Sequence, residues 1–190
     1  MAIDIAGFIT NLKDHAVEHG FHVHDERHFI ETYSLRQSFE VDMHPEEACA
    51  GPLDLHLAFD VDPRVVLDLD EKMAEIDDDT EPEGEFKIPL YFNWSLPPLA
   101  SSPDLIVLAT EVAAIGGPGL PIEVSAVEST GAVFEASEQR LSIVGRVDVS
   151  LVDALLGREN LCEMLDRGHD VSMFLVKSTD EWGVVEPHQH

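Results

Sequence analysis

The sequence predicts an α+β domain of two layers, with about three helices packed on a mostly antiparallel sheet of about eight strands. Three observations predict it. Apolar and polar residues alternate over several segments, as in strands that face a core on one side and water on the other. Elsewhere apolar residues recur at helical spacing behind capping residues. The hydrophobic fraction of 44% also supplies enough apolar surface to offset ordering despite a net charge of −27. At 190 residues the chain can bury one sizeable core, so a single domain over 1–190 is expected. Two lobes, 1–95 and 104–190, each begin with a helix followed by strands, which hints at a pseudo-repeat.

Residues 3–19 read as an amphipathic helix with Ile5, Phe8, Ile9, Leu12 and Ala16 on one stripe, stopped by Gly20. Strand signals follow at Tyr33–Met43 and Leu53–Val61, and Asp62-Pro63 reads as a turn into a strand through Val65, Leu67 and Leu69. After an acidic loop, Phe86, Ile88, Leu90, Phe92 and Trp94 alternate in a strand that Pro89 marks as an edge. Ser95–Pro103, a Pro/Ser-rich connection, is the internal boundary. Ser102 and Pro103 then read as the N-cap and first residue of a helix through Ile115. The turn Gly116–Gly119 leads to strands near 121–127, 132–136 and 140–149. Ser150 and Asp153 resemble a capping box opening a third helix to Arg167, stopped by Gly168. A final strand, Val171–Lys177, is expected before the tail.

Thirty-eight acidic residues against eleven basic ones surround the molecule with a negative field. Phosphate binding depends on Lys and Arg, so nucleic acid and anionic membranes are poor direct partners and a basic protein is a good one. A second reading of the same bias is adaptation to a salty cytoplasm. The start of the chain shows no basic segment followed by an apolar run, and no apolar run approaches the roughly 20 residues of a membrane helix, so a cytoplasmic location is expected. Cys49 and Cys162 lie far apart without a C-x-x-C partner, which predicts reduced packing thiols.

The stretch HAVEHGFHVH places His15, His19, His22 and His24 within ten residues, with His28 close behind. Its first half, His15-x-x-Glu18-His19, resembles the H-x-x-E-H motif of inverzincin metallopeptidases, in which two histidines one turn apart bind zinc and the glutamate is the general base. The resemblance covers five letters and implies a third ligand from another helix. The nearest downstream candidates, Glu71 and Glu75, fall in or beside an expected strand. More generally, His15, His19, His22 and His24 are candidate ligands for zinc or another divalent transition metal. His19 projects onto the buried stripe and His15 onto its edge, whereas His22 and His24 face away from Phe21 and Val23 if that segment is extended. One four-histidine site then requires the turn at Gly20 to fold the two faces together. The bland alternative makes His19 a half-buried residue suited to the helix dipole and leaves His22, His24 and His28 in water.

Glu75–Glu85 holds seven carboxylates without a calcium-loop order and reads as a solvated loop or a docking patch. Cys162 and His169 could form a nucleophile and base, but nothing nearby in sequence activates the thiol. Phosphate-loop, dinucleotide and nucleophile-elbow motifs are absent. The expected function is that of a non-enzymatic acidic interaction protein, an adaptor, inhibitor or chaperone-like module that docks a basic partner. The alternative is a metal-binding protein or small metalloenzyme built on His15 and His19.

Overall fold

The computed structural model describes residues 4–76, 81–82, 86–129 and 138–184. In chain order the elements are α1 (Ile5–Glu18), β1 (Phe21–Ile30), β2 (Gln37–Pro45), a short 3-10 turn (Glu46–Ala48), β3 (Asp54–Val61), α2 (Pro63–Glu75), β4 (Lys87–Ser95), α3 (Leu105–Gly116), β5 (Ile122–Ser129), β6 (Glu138–Ser150), α4 (Leu151–Leu155) and α5 (Leu161–Trp182). The strands form one antiparallel sheet in the order β1-β2-β3-β4-β6-β5.

Alternation decides which face is buried. Phe39, Val41 and Met43 of β2, Leu55, Leu57 and Phe59 of β3, and Ile88, Leu90, Phe92 and Trp94 of β4 all enter one core. Ile9, Leu12 and Ala16 of α1, Leu69 of α2, Leu108 and Val112 of α3 and Leu165, Val171 and Leu175 of α5 enter the same core. The helices therefore cover one face of the sheet, and among the described residues none covers the other. Trp94 is tied to α5 within the core, its Nε1 donating to Ser172 Oγ at 2.9 Å. Among the described residues no helix is long and apolar enough to cross a membrane.

The α+β class holds, with six strands and five helices among the described residues where eight and three were expected. Residues 65–69 belong to α2, not to a strand: Asp62 caps the helix by accepting from Arg64 N–H at 2.9 Å and Pro63 opens its first turn. Val171–Lys177 is the middle of α5. Gly168 does not end a helix but lies inside α5, where a Cβ would come within 2.9 Å of Phe92 Cε1. The helix expected over 150–167 is instead α4, capped by Ser150, followed by a break and the start of α5. Asp104, rather than Ser102, caps α3 by accepting from the N–H groups of Ile106 and Val107.

β4 lies inside the sheet and not at its edge. The β3 pairing stops at Phe59 and Leu90, so Pro89 stands just past that ladder and pairs only with Asp148 of β6. The first strand, β1, starts at Phe21, well before the first expected strand signal at Tyr33. Among the described residues the first half holds four strands and the second two. The strand expected at 132–136 lies outside the described residues.

Candidate metal centres

The histidine-rich stretch is divided by its glycine. Gly20 adopts φ +79°, a left-handed conformation that ends α1 at His19, whose N–H still reaches His15 O. The chain then enters β1, and Glu46 N–H, just past β2, donates to Gly20 O. Phe21 is fully buried on the core side, so strand alternation turns His22 onto the face without helices. His15 and His19 stay behind in the helical layer. Three of the four histidines thus enter two separate donor groups, each completed by residues distant in sequence, and His24 stands beside the group that holds His22.

The first group stands on the open face of the sheet. His22 lies opposite His44 in the β1–β2 register, with their rings at 5.3 Å. The loop after β2 carries Cys49 back over this pair, placing its Sγ 3.7 Å from His22 Nδ1. One nitrogen from each histidine and the sulfur lie within 4.8 Å of one another. His24 is the extra residue of a β-bulge between Val23 and Asp25. The bulge swings its ring to 4.7 Å from that of His22 and 4.0 Å from that of His44, with His24 Nε2 facing His44 Nδ1.

His44 is the buried member, 6% exposed, and its Nε2 has no hydrogen-bond partner. Burial, and then its neighbours His24 and His22, hold its imidazole below the ordinary value of 6.5 against the opposing pull of Asp54. The neutral ring is the form that binds metal.

The second group joins α1 to α5. His15 and His19 share one face of the final turn of α1, and Cys162 in the first turn of α5 brings its Sγ to 3.6 Å from His15 Nδ1. All three donor atoms again lie within 4.8 Å of one another. Asp166, one turn further along α5, accepts from His19 Nδ1 at 2.6 Å. Glu18 Oε2 is 3.8 Å from His15 Nδ1. The third donor beside His15 and His19 is thus Cys162, and Glu71 lies in α2 with Glu75.

Tetrahedral zinc, with Zn–N near 2.0–2.1 Å and Zn–S near 2.3 Å, sets its nitrogen and sulfur ligands about 3.5 Å apart. One sulfur–nitrogen pair in each group lies near that edge length, at 3.7 and 3.6 Å. No protein-family model, curated protein or solved structure matches the chain.

The remaining sequence candidates fall elsewhere. His28 stacks on Phe39 with ring centroids 4.0 Å apart and meets Gln37 through Nε2 at 3.0 Å. His169 faces Glu47 at 3.3 Å rather than Cys162, so the two do not act as nucleophile and base. Both cysteines are exposed beside a histidine, contrary to the expected packing role. In the acidic run Glu75 pairs with Lys72 and Glu81 meets Arg158 through two parallel hydrogen bonds, while 77–80 and 83–85 lie outside the described residues. Near the first group the open face carries a separate polar network. Asp42 accepts from His56 Nδ1 at 2.6 Å and from Arg27, which also reaches Glu40.

Sequence reasoning missed His44, Cys49, Cys162 and Asp166. Only the register of β1 on β2 could have found His44, which lies on the face of the strand opposite Met43 and is buried there all the same. The cysteines and Asp166 depend on how a loop and two helices dock.

Proposed function

We propose that this protein binds a divalent transition metal of the zinc class at His22, His44 and Cys49, with His24 as the fourth donor. The observation that supports it most is His44, a buried imidazole with an unpaired ring nitrogen beside two further imidazoles and a thiol. A purely structural histidine would have its polar atoms satisfied within the fold, whereas a ligand histidine awaits an ion. Nitrogen and sulfur donors select zinc, cobalt or copper over magnesium and calcium. With His24 as fourth ligand no coordination position remains open for substrate, which favours binding over hydrolytic catalysis.

The test is metal analysis of protein purified without an affinity tag, together with thermal unfolding in chelator and in zinc. The expected result is that Cys49→Ser and His44→Leu each hold one equivalent of metal fewer than the unsubstituted protein. Less than about one tenth of an equivalent, with no thermal shift on adding zinc, would sink the proposal, because a ligand of the native state must raise its apparent stability.

Docking of a basic partner remains a second reading, favoured by the sheet face that no described helix covers and by Glu40, Asp42 and Asp60 on it. It requires a complex that forms at low salt, weakens at moderate salt and protects the open-face amides of β2 and β3 from exchange. Protection confined to the helices would contradict it.

A further inference from the structure

We infer that His15, His19 and Cys162 form a second, independent metal centre whose ion fastens the first helix of the chain to the last. This goes beyond the open-face centre, shares none of its residues and lies in the other layer of the fold.

Each part of the arrangement has the form a metal centre needs. Helical spacing of four presents two imidazoles from one face of α1, and Gly20 ends the helix one residue after His19, leaving that end uncovered by a further turn. Cys162 meets them from across the α1–α5 junction, 147 positions from His15. Asp166 supplies the orienting contact: by accepting the proton of His19 Nδ1 it fixes the tautomer and leaves Nε2 with its lone pair for an ion. Carboxylate, imidazole and metal in that order is a recurring way to hold a ligand histidine and raise its basicity.

The three donors comprise two nitrogens and one sulfur, with Cys162 exposed, so water from solvent completes the coordination. On binding, the Cys162 thiol gives its proton to solvent and its thiolate bonds the ion, so the number of protons released reports the event. Without an ion, this corner of the junction is held by an exposed His19–Asp166 pair and a sulfur–imidazole contact, both weak in water. With one, two elements from opposite ends of the sequence share a coordination sphere.

Cobalt is the probe, because thiolate bound to Co²⁺ gives a charge-transfer absorption in the near ultraviolet that histidine alone does not. Full-length wild type, Cys49→Ser, Cys162→Ser and the double variant are titrated, and amide exchange is followed with and without metal. Both cysteines are exposed, so the variants keep the core intact. We expect Cys49→Ser to retain about half of the wild-type thiolate absorption and the metal-induced protection of α1 and of the first turn of α5. We expect Cys162→Ser to lose that protection, and Asp166→Asn in the Cys49→Ser background to weaken cobalt binding about 10–100-fold.

Absence of thiolate absorption in Cys49→Ser, or protection of α1 that persists in Cys162→Ser, overturns the inference while leaving the open-face centre standing. If Cys162→Ser instead abolishes all of the absorption, this centre stands and the open-face reading fails.

Discussion

Replacing His44 with leucine separates the metal-free and metal-bound roles of this residue, because the two change stability in opposite directions. In the metal-free protein His44 is buried and its Nε2 lacks a partner. A buried polar group left without a hydrogen bond costs about 1–3 kcal/mol. The contact surrendered is to Nε2 of His24, an exposed ring that water can satisfy again, and it is worth about 0.5–1.5 kcal/mol. Leucine fills a similar volume without a polar atom. His44→Leu should therefore raise the stability of the metal-free protein by about 1 kcal/mol, or about 2–4 °C in Tm for a chain of this size. Zinc at one hundred times its Kd stabilises the wild type by about 2.7 kcal/mol, a rise of about 5–11 °C, and that gain disappears from the variant. Thermal unfolding in chelator and in zinc reads both effects, with Cys162→Ser as the parent so that the helix junction contributes nothing. A variant less stable than its parent in chelator by more than about 1 kcal/mol would show that the fold itself satisfies the imidazole. A zinc shift of undiminished size in the variant would show that His44 is not a ligand.

Three further substitutions probe the scaffold. Gly168→Ala drives a methyl group to 2.9 Å from the fully buried Phe92 ring and should cost about 1–3 kcal/mol in urea unfolding; an unchanged midpoint would mean that α5 can lift off the sheet there. Ser172→Ala strands the indole N–H of Trp94 in the core and should cost about 1–3 kcal/mol, whereas Ser172→Thr, which keeps the hydroxyl, restores part of it; equal losses would locate the effect in packing. Asp42→Asn should cost about 1 kcal/mol at neutral pH. Burial raises the Asp42 pKa, but hydrogen bonds from His56 and Arg27 outweigh it and hold the carboxyl below its ordinary 3.8. A depressed carboxylate contributes fully above that ordinary value and loses its contribution as pH falls through the depressed one. The gap between wild type and Asp42→Asn should accordingly close on acidification below 3.8, and a gap that stays constant would refute the assignment.

The strands that build the centre of the sheet were legible, because β3 and β4, and β2 as far as Met43, bury every second residue and the period shows directly in the letters. The errors came where two periods overlap in a short segment. Val65, Leu67 and Leu69 alternate as a strand would, yet Leu67 is 59% exposed, Val65 is only partly buried against the core and Leu69 is fully buried in it, at helical spacing from the cap. Gly168 was misleading for a different reason: glycine at that position serves close approach of α5 to Phe92, and nothing local distinguishes this from a helix stop. The candidate centres were half legible. Local spacing exposed His15, His19, His22 and His24, and strand parity separated them into two directions. Their partners required a strand register, a bulge and a helix docking across 147 positions, all of them non-local.

The left-handed turn at Gly20 also makes the order of events matter. In the unfolded chain the ten residues from His15 to His24 form a loose ligand able to wrap four imidazoles around one ion. Folding forbids that arrangement, because the turn sends the two pairs to different layers. An ion captured early must be surrendered before α1 and β1 can part. Metal present during refolding should act as a kinetic trap, and the same metal added to the finished fold should act as a brace.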